Sequence, residues 1–120
     1  MQGLVVGELQ IEAREDAAFA VQLLWRGKSN SRHPQEALAP YFREALAAAG
    51  ARHVPVELHF EQLEQCSSST IASIIQLIQD SRARAIKLIL VYDRALPWQR
   101  LSFDALRTLA RDELLELRTA

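Results

Sequence analysis

The stretch that decides the fold is VELHFEQLEQCSSSTIASIIQLIQDSRARAIKLILVY, residues 56–92. Around its start, from Val54 to Phe60, every even-numbered residue is apolar and every odd-numbered residue is polar or proline. A period of two predicts a strand with one buried face and one face that is at least partly wet. The end of the stretch, Ile86–Tyr92, is almost continuously apolar and predicts an interior strand.

Between these two strands the apolar spacing changes to that of a helix. Isoleucines recur at intervals of three and four from Ile71 to Ile78, which predicts a helix over Thr70–Ser81. Residues 61–69, EQLEQCSSS, are predicted to form a loop before it. The order strand, helix, strand favours parallel pairing of the two strands through a right-handed crossover.

The flanking segments add further elements on both sides. Leu4–Ile11 and Phe19–Trp25 have strand patterns and can pair as an antiparallel hairpin. A helix is predicted from the region of Pro34 to Gly50, with Pro40 either its first residue or the site of a kink.

At the carboxyl end, Ser102 is predicted to cap a last helix, and the tail either extends that helix or forms a short edge strand over Leu115–Arg118. The sequence as a whole predicts one α/β domain over residues 1–120. Its mixed sheet is expected to have four or five strands, with about three helices mainly on one face.

Composition narrows the class of protein. The chain has 120 residues, of which 49% are hydrophobic and 24% charged, values that argue against a disordered protein. With 14 basic and 15 acidic residues, it lacks the basic excess expected for binding nucleic acid or an acidic membrane surface. One cysteine, no signal-peptide pattern and no apolar stretch of membrane-spanning length predict a cytoplasmic location.

No motif indicates catalysis, a metal or a cofactor. Phosphate-binding glycine loops and paired metal-ligand motifs are absent, and His33, His53 and His59 are scattered along the chain. The single thiol leaves two interpretations open. Cys66 is either a half-buried residue in a turn or a thiolate stabilised at a helix start. The second interpretation corresponds to a thiol-dependent enzyme, in which His59 could pair with Cys66.

The run of hydroxyls after Cys66 also has two interpretations. A helix start needs one side-chain oxygen as a cap, and Ser68, Ser69 or Thr70 could supply it. Four consecutive hydroxyls, from Ser67 to Thr70, exceed that need. A phosphate on one of the serines would add charge at the helix end that favours anions, and so would change the surface presented to a partner.

The arrangement resembles the STAS domain, the fold of anti-sigma factor antagonists. LLWRGKSNSRHPQEALAPYFREAL, residues 23–46, is similar to that family's second strand, glycine turn and first helix. Residues 56–92 look like its central strand, switch loop, helix and next strand, and residues 106–120 look like its closing helix and final strand. The family's switch motif, Asp-Ser-Ser-Gly, falls on Ser67–Thr70, with Ser67 in place of the aspartate and Thr70 in place of the glycine.

The resemblance implies a non-enzymatic regulatory module whose phosphoacceptor is Ser69 or Ser68. The implied partners are an anti-sigma-type serine kinase and a serine phosphatase, and no cofactor is implied. The predicted partner surface joins the switch loop to the exposed side of the following helix: Ser67, Ser68, Ser69, Thr70, Ser73, Gln76 and Asp80. The alternative is a small-anion or nucleotide-binding or scaffolding domain of the same fold, without a covalent switch.

Overall fold

The computed structural model describes all residues from 1 to 120. The chain folds into six strands, three α-helices and one short 3-10 helix. In chain order, the main elements are β1 (Leu4–Val6), β2 (Leu9–Arg14), β3 (Val21–Ser29), α1 (Gln35–Arg52), β4 (Val56–Cys66), α2 (Ser68–Ala83), β5 (Leu88–Tyr92), α3 (Pro97–Leu106) and β6 (Leu115–Thr119). The 3-10 helix, Arg107–Leu109, continues directly from α3.

The six strands form a single mixed sheet in which their spatial order equals their order along the chain. The pairs β1–β2 and β2–β3 are antiparallel, whereas β3, β4, β5 and β6 are parallel neighbours. The α/β class and the parallel pairing across residues 56–92 are therefore confirmed. Right-handed crossovers that all step in one direction return over the same face, so the three helices lie together on that face.

The predicted count of four or five strands is wrong, because the first predicted strand is two strands. Gly7 has a φ of 58° and begins a two-residue turn that pairs Val6 with Leu9. Glycine adopts this left-handed conformation without a steric cost, which allows the chain to reverse there. The predicted antiparallel hairpin is present and is formed by β2 and β3. Of the two alternatives for the tail, the structure has the strand, β6.

The core lies between the sheet and the three helices. Inward-facing residues of β3, β4 and β5 alternate along each strand, and an aromatic row connects them: the ring centroids of Trp25 and Phe60 are 5.1 Å apart, and those of Phe60 and Phe103 are 4.6 Å apart. Phe19, the first residue of the predicted second strand, precedes β3 and is 85% exposed. The opposite sheet face carries no helix and displays polar residues such as Glu57 and His59.

The region before α2 differs most from the prediction. β4 continues to Cys66, so residues 61–66 form strand rather than loop, and α2 begins at Ser68 instead of Thr70. The reason is that β3 extends to Ser29 and pairs with β4 along its length, as far as Ser29 opposite Cys66. Two irregularities in this pairing, near Leu24 and Gly27, interrupt the simple alternation that a strand prediction depends on.

The other helices also differ from the prediction at their ends. α1 continues through Pro40 and ends at Arg52. The next residue, His53, has a left-handed φ of 55°. α3 begins at Pro97, a residue suited to the first helical position, so Ser102 lies inside the helix and does not cap it. None of the three helices combines the length and the apolar composition needed to cross a membrane.

Candidate functional site

The hydroxyl run lies at the edge of the sheet where the parallel strands end. β4 ends at Cys66 and α2 starts at Ser68, which leaves Ser67 as the only residue between them. The backbone N–H of Ser67 donates to the carbonyl oxygen of Ser29, the last residue of β3, at 2.9 Å. The run therefore lies at the carboxyl ends of the neighbouring parallel strands β3 and β4.

Ser67 is the residue that caps α2. Its backbone is extended, with φ −71° and ψ 159°, and its Oγ accepts a hydrogen bond from the backbone N–H of Thr70 at 3.2 Å. The prediction that Ser68, Ser69 or Thr70 supplies the cap is therefore wrong. Because β4 extends as far as Cys66, the helix starts earlier, and the capping position moves to Ser67.

Thr70 lies beneath the surface. Its side chain is 0% exposed, and its Oγ1 lies 2.7 Å from Ser29 Oγ and 3.0 Å from Ser67 Oγ. These three hydroxyls join the end of β3 to the start of α2. Thr70 was predicted to be part of a partner-binding surface, but its burial gives it a structural position instead.

Ser68 and Ser69 are the free members of the run. Both side chains are exposed, and neither hydroxyl takes part in a hydrogen bond within the chain. Their backbone N–H groups also lack partners in the chain, as expected for the first residues of a helix. The two residues predicted as phosphoacceptors are thus the two that a kinase could reach.

The predicted surface on α2 is smaller than expected. Ser73 is 2% exposed and its Oγ donates to the carbonyl oxygen of Ser69 at 3.2 Å, so its assignment to the exposed side is wrong. Gln76 is exposed and donates to Asp80, which is partly exposed, at 3.0 Å. The accessible remainder is Ser68, Ser69, Gln76 and part of Asp80.

A hollow of about 450 Å³ separates the start of α1 from the first turns of α2, and we call it the α1–α2 hollow. The predicted surface includes three of its α2 residues, Ser69, Ser73 and Gln76, but none of its residues before and within the start of α1. The hollow is bordered by Arg32, His33, Pro34, Gln35 and Glu36 on one side and by Ser69, Ala72, Ser73 and Gln76 on the other. A signal was present, because the segment after β3 must leave the sheet at the same edge as the parallel strand β4.

The charged groups of the hollow make no ion pairs in the structure. The side chains of Arg32, His33 and Glu36 are exposed, and none of them forms a salt bridge. Arg32, whose side chain makes no ion pair, therefore borders the same hollow as Ser69, whose hydroxyl makes no hydrogen bond. Of the two charged side chains that border the hollow, Arg32 favours an anion and Glu36 opposes one.

Cys66 has the properties of a structural residue. It packs against the core, and burial raises the pKa of its thiol to about 12. A reactive thiolate requires the opposite shift. His59 lies on the open sheet face, where its ring nitrogens are 2.7 Å from Glu57 and 3.4 Å from Glu61, so β4 does not bring it together with Cys66.

Comparison with models of known protein families finds no match to this chain, and comparison with curated proteins finds none either. The similarity to the STAS domain therefore stays a prediction that rests on the order of elements and on the placement of Ser67–Thr70.

Proposed function

We propose that this chain is a STAS-like regulatory domain that binds a protein partner, and that a phosphate on Ser69 or Ser68 controls the binding. The observation that carries this proposal is the pair of exposed, unbonded serine hydroxyls at the start of α2, beside the end of β4. In this proposal the domain has no catalytic activity of its own and acts in the cytoplasm. Its partners are an anti-sigma-type serine kinase and a serine phosphatase.

The structural roles of the neighbouring residues support a switch that acts on the surface rather than on the fold. Ser67 already caps α2, and Thr70 is already held by Ser29 and Ser67. Adding a phosphate to Ser68 or Ser69 would therefore break no hydrogen bond of a side chain. It would add roughly −1.5 to −2 charges to a surface whose free amides and helix dipole favour an anion.

The replacements in the switch motif fit this proposal. Ser67 occupies the position of the family's aspartate and supplies a cap with its hydroxyl. Thr70 occupies the position of the family's glycine and fills a buried space next to Ser29. Both substitutions keep the helix start in place and leave Ser69, at the family's phosphoacceptor position, exposed.

The direct test is phosphate transfer. The purified chain would be incubated with ATP and an extract of the cells that produce it, and the modified residue would be mapped by mass spectrometry. We expect phosphate on Ser69 or Ser68, and its loss in the Ser68→Ala/Ser69→Ala double variant. Thr108→Ala, at an exposed hydroxyl of the 3-10 helix, is the matched control and should leave the modification intact.

The switch itself is tested through partner binding. Ser69→Asp and Ser69→Ala variants would be compared with the unmodified chain for their affinity to the kinase that modifies it. A difference of tenfold or more between the two variants, about 1.4 kcal/mol, supports control by charge at this position. Equal affinities together with no phosphate on Ser67–Thr70 would rule the proposal out.

The α1–α2 hollow favours a second candidate, a site for a small anion or a nucleotide without covalent modification. Arg32 and the exposed Ser69 line the hollow and could both bind such a ligand. Isothermal titration calorimetry of the unmodified chain with inorganic phosphate, ATP and GTP separates the two candidates. Measurable heat that disappears in Arg32→Gln supports the binding site, whereas no heat with any of the three ligands rules this candidate out.

A further inference from the structure

The α1–α2 hollow distinguishes between the two exposed serines. Ser69 borders it together with Arg32 and His33, whereas Ser68 borders none of the hollows of the molecule. The two serines are adjacent in α2, so their side chains leave the helix about 100° apart. Ser69 therefore lies on the side of the helix start that borders the hollow with Arg32, and Ser68 does not.

We propose that Arg32 is the intramolecular partner of a phosphate on Ser69, and that this pairing makes Ser69 the regulated residue of the two. This inference rests on the proposed function in taking Ser69 as a phosphoacceptor, and it adds the group that receives the phosphate. Arg32 has no competing ion pair, so no existing contact has to break. Its planar guanidinium can hold two phosphate oxygens at once, which makes it a better phosphate partner than a lysine.

One charged group of the hollow opposes this pairing. Glu36 borders the hollow, and its carboxylate would repel the phosphate. Because Glu36 makes no salt bridge, its carboxylate is free to turn toward solvent.

The experiment uses the full chain with phosphoserine incorporated during synthesis at position 69 or, separately, at position 68. The second ionisation of the phosphate is followed by ³¹P NMR as a function of pH. A neighbouring cation favours the dianion, so Arg32→Gln should move the midpoint of the Ser69 phosphate to higher pH. We expect about half a pH unit, the effect of an exposed ion pair.

Glu36→Gln should move the same midpoint in the opposite direction, because it removes a repelling carboxylate. Arg43→Gln is the matched control, since Arg43 is an exposed arginine of α1 that does not border the hollow. The midpoint of a phosphate on Ser68 should respond to none of the three substitutions. This pattern of four responses supports the pairing.

Two outcomes would overturn it. One is an unchanged midpoint of the Ser69 phosphate in Arg32→Gln, and the other is an equal shift of the Ser68 phosphate in the same variant. Since the phosphate is installed chemically, neither outcome depends on a kinase or a binding partner. If no phosphate is transferred to the chain but the expected midpoint shifts are seen, the proposed function is rejected. If phosphate is transferred but Arg32→Gln leaves the midpoint unchanged, only the role of Arg32 is rejected.

Discussion

Four consecutive hydroxyl residues, Ser67 to Thr70, divide into two that hold the structure together and two that are free. Ser67 and Thr70 are three positions apart, so they share one side of the helix start and reach the end of β3. Ser68 and Ser69 leave the helix on its outer side. The division follows from helical geometry once the first residue of α2 is known.

The role of Ser67 predicts a specific loss of stability. Ser67→Ala removes the oxygen that accepts from the N–H of Thr70, and we expect a loss of about 1 kcal/mol in the free energy of unfolding. Ser68→Ala, which removes an exposed and unbonded hydroxyl, should change it by less than about 0.5 kcal/mol. Urea unfolding at 25 °C measures both. Equal losses would show that Ser67 is not the cap.

Substitution of Thr70 should lower the free energy of unfolding more than substitution of Ser67 does, because Thr70 is fully buried. Thr70→Val keeps the shape but leaves the buried Ser29 Oγ without a partner, at an expected cost of about 1–3 kcal/mol. The Ser29→Ala/Thr70→Val double variant tests this explanation by urea unfolding. Its loss should be clearly smaller than the sum of the single losses, whereas strict additivity would mean that the two hydroxyls do not interact.

At the scale of elements, the site depends on a strand that is longer than its neighbour. β4 pairs with β5 only as far as His59 opposite Val91 and then continues to Cys66. Beyond that point α3 supplies the missing partner. Gln99 of α3 is 0% exposed, and its Nε2 donates to the carbonyl oxygens of Phe60 at 2.6 Å and Leu63 at 3.0 Å.

Removing this glutamine should loosen the end of β4. Gln99→Leu leaves two buried carbonyl groups and the N–H of Asp93, which donates to Gln99 Oε1 at 2.8 Å, without partners. We expect a loss of at least about 2 kcal/mol in the free energy of unfolding. Hydrogen exchange should also become faster over residues 61–66, next to the switch region.

The matched control is Gln79→Leu, an exposed glutamine of α2. It should change the free energy of unfolding by less than about 0.5 kcal/mol and leave exchange in β4 unaltered. If Gln99→Leu behaves like this control in both measurements, α3 does not support the end of β4.

At the scale of the whole molecule, burial in one core raises the pKa of three groups that titrate at high pH, Cys66, Tyr41 and Tyr92, and the first two have the large shifts. Burial raises the pKa of Cys66 to about 12 and that of Tyr41 to about 12. Their ordinary values are 9.0 and 10.0, so between those values and 12 the unfolded chain loses these protons before the folded chain does. The free energy of unfolding therefore falls as the pH rises through this range.

This loss of stability should be measurable as a urea midpoint of unfolding that decreases between pH 8 and pH 11. Below about pH 8 these groups should not change the midpoint. The Cys66→Ala/Tyr41→Phe double variant should flatten the decrease. Single variants should each remove part of it, with the effect of Cys66→Ala beginning at lower pH. A double variant with the same slope as the unmodified chain would contradict the assignment.

The type and the order of most elements could be predicted, since they depend on local backbone geometry. The alternation over Val54–Phe60 and the isoleucine spacing over Ile71–Ile78 both report which side of a strand or helix is buried. Parallel pairing of β4 and β5 follows from the length of the connection between them. The same local reasoning locates the hydroxyl run at a helix start.

The sequence by itself thus determined an α/β fold with a hydroxyl-rich segment before α2. Only the tertiary structure decided that Gly7 splits the first strand, that β4 reaches Cys66, that Ser67 is the cap and that Arg32 faces the same hollow as Ser69. These features depend on pairing and burial between residues far apart in the chain. Periodicity records only which residues are buried, and it carries no information about which distant residues bury them.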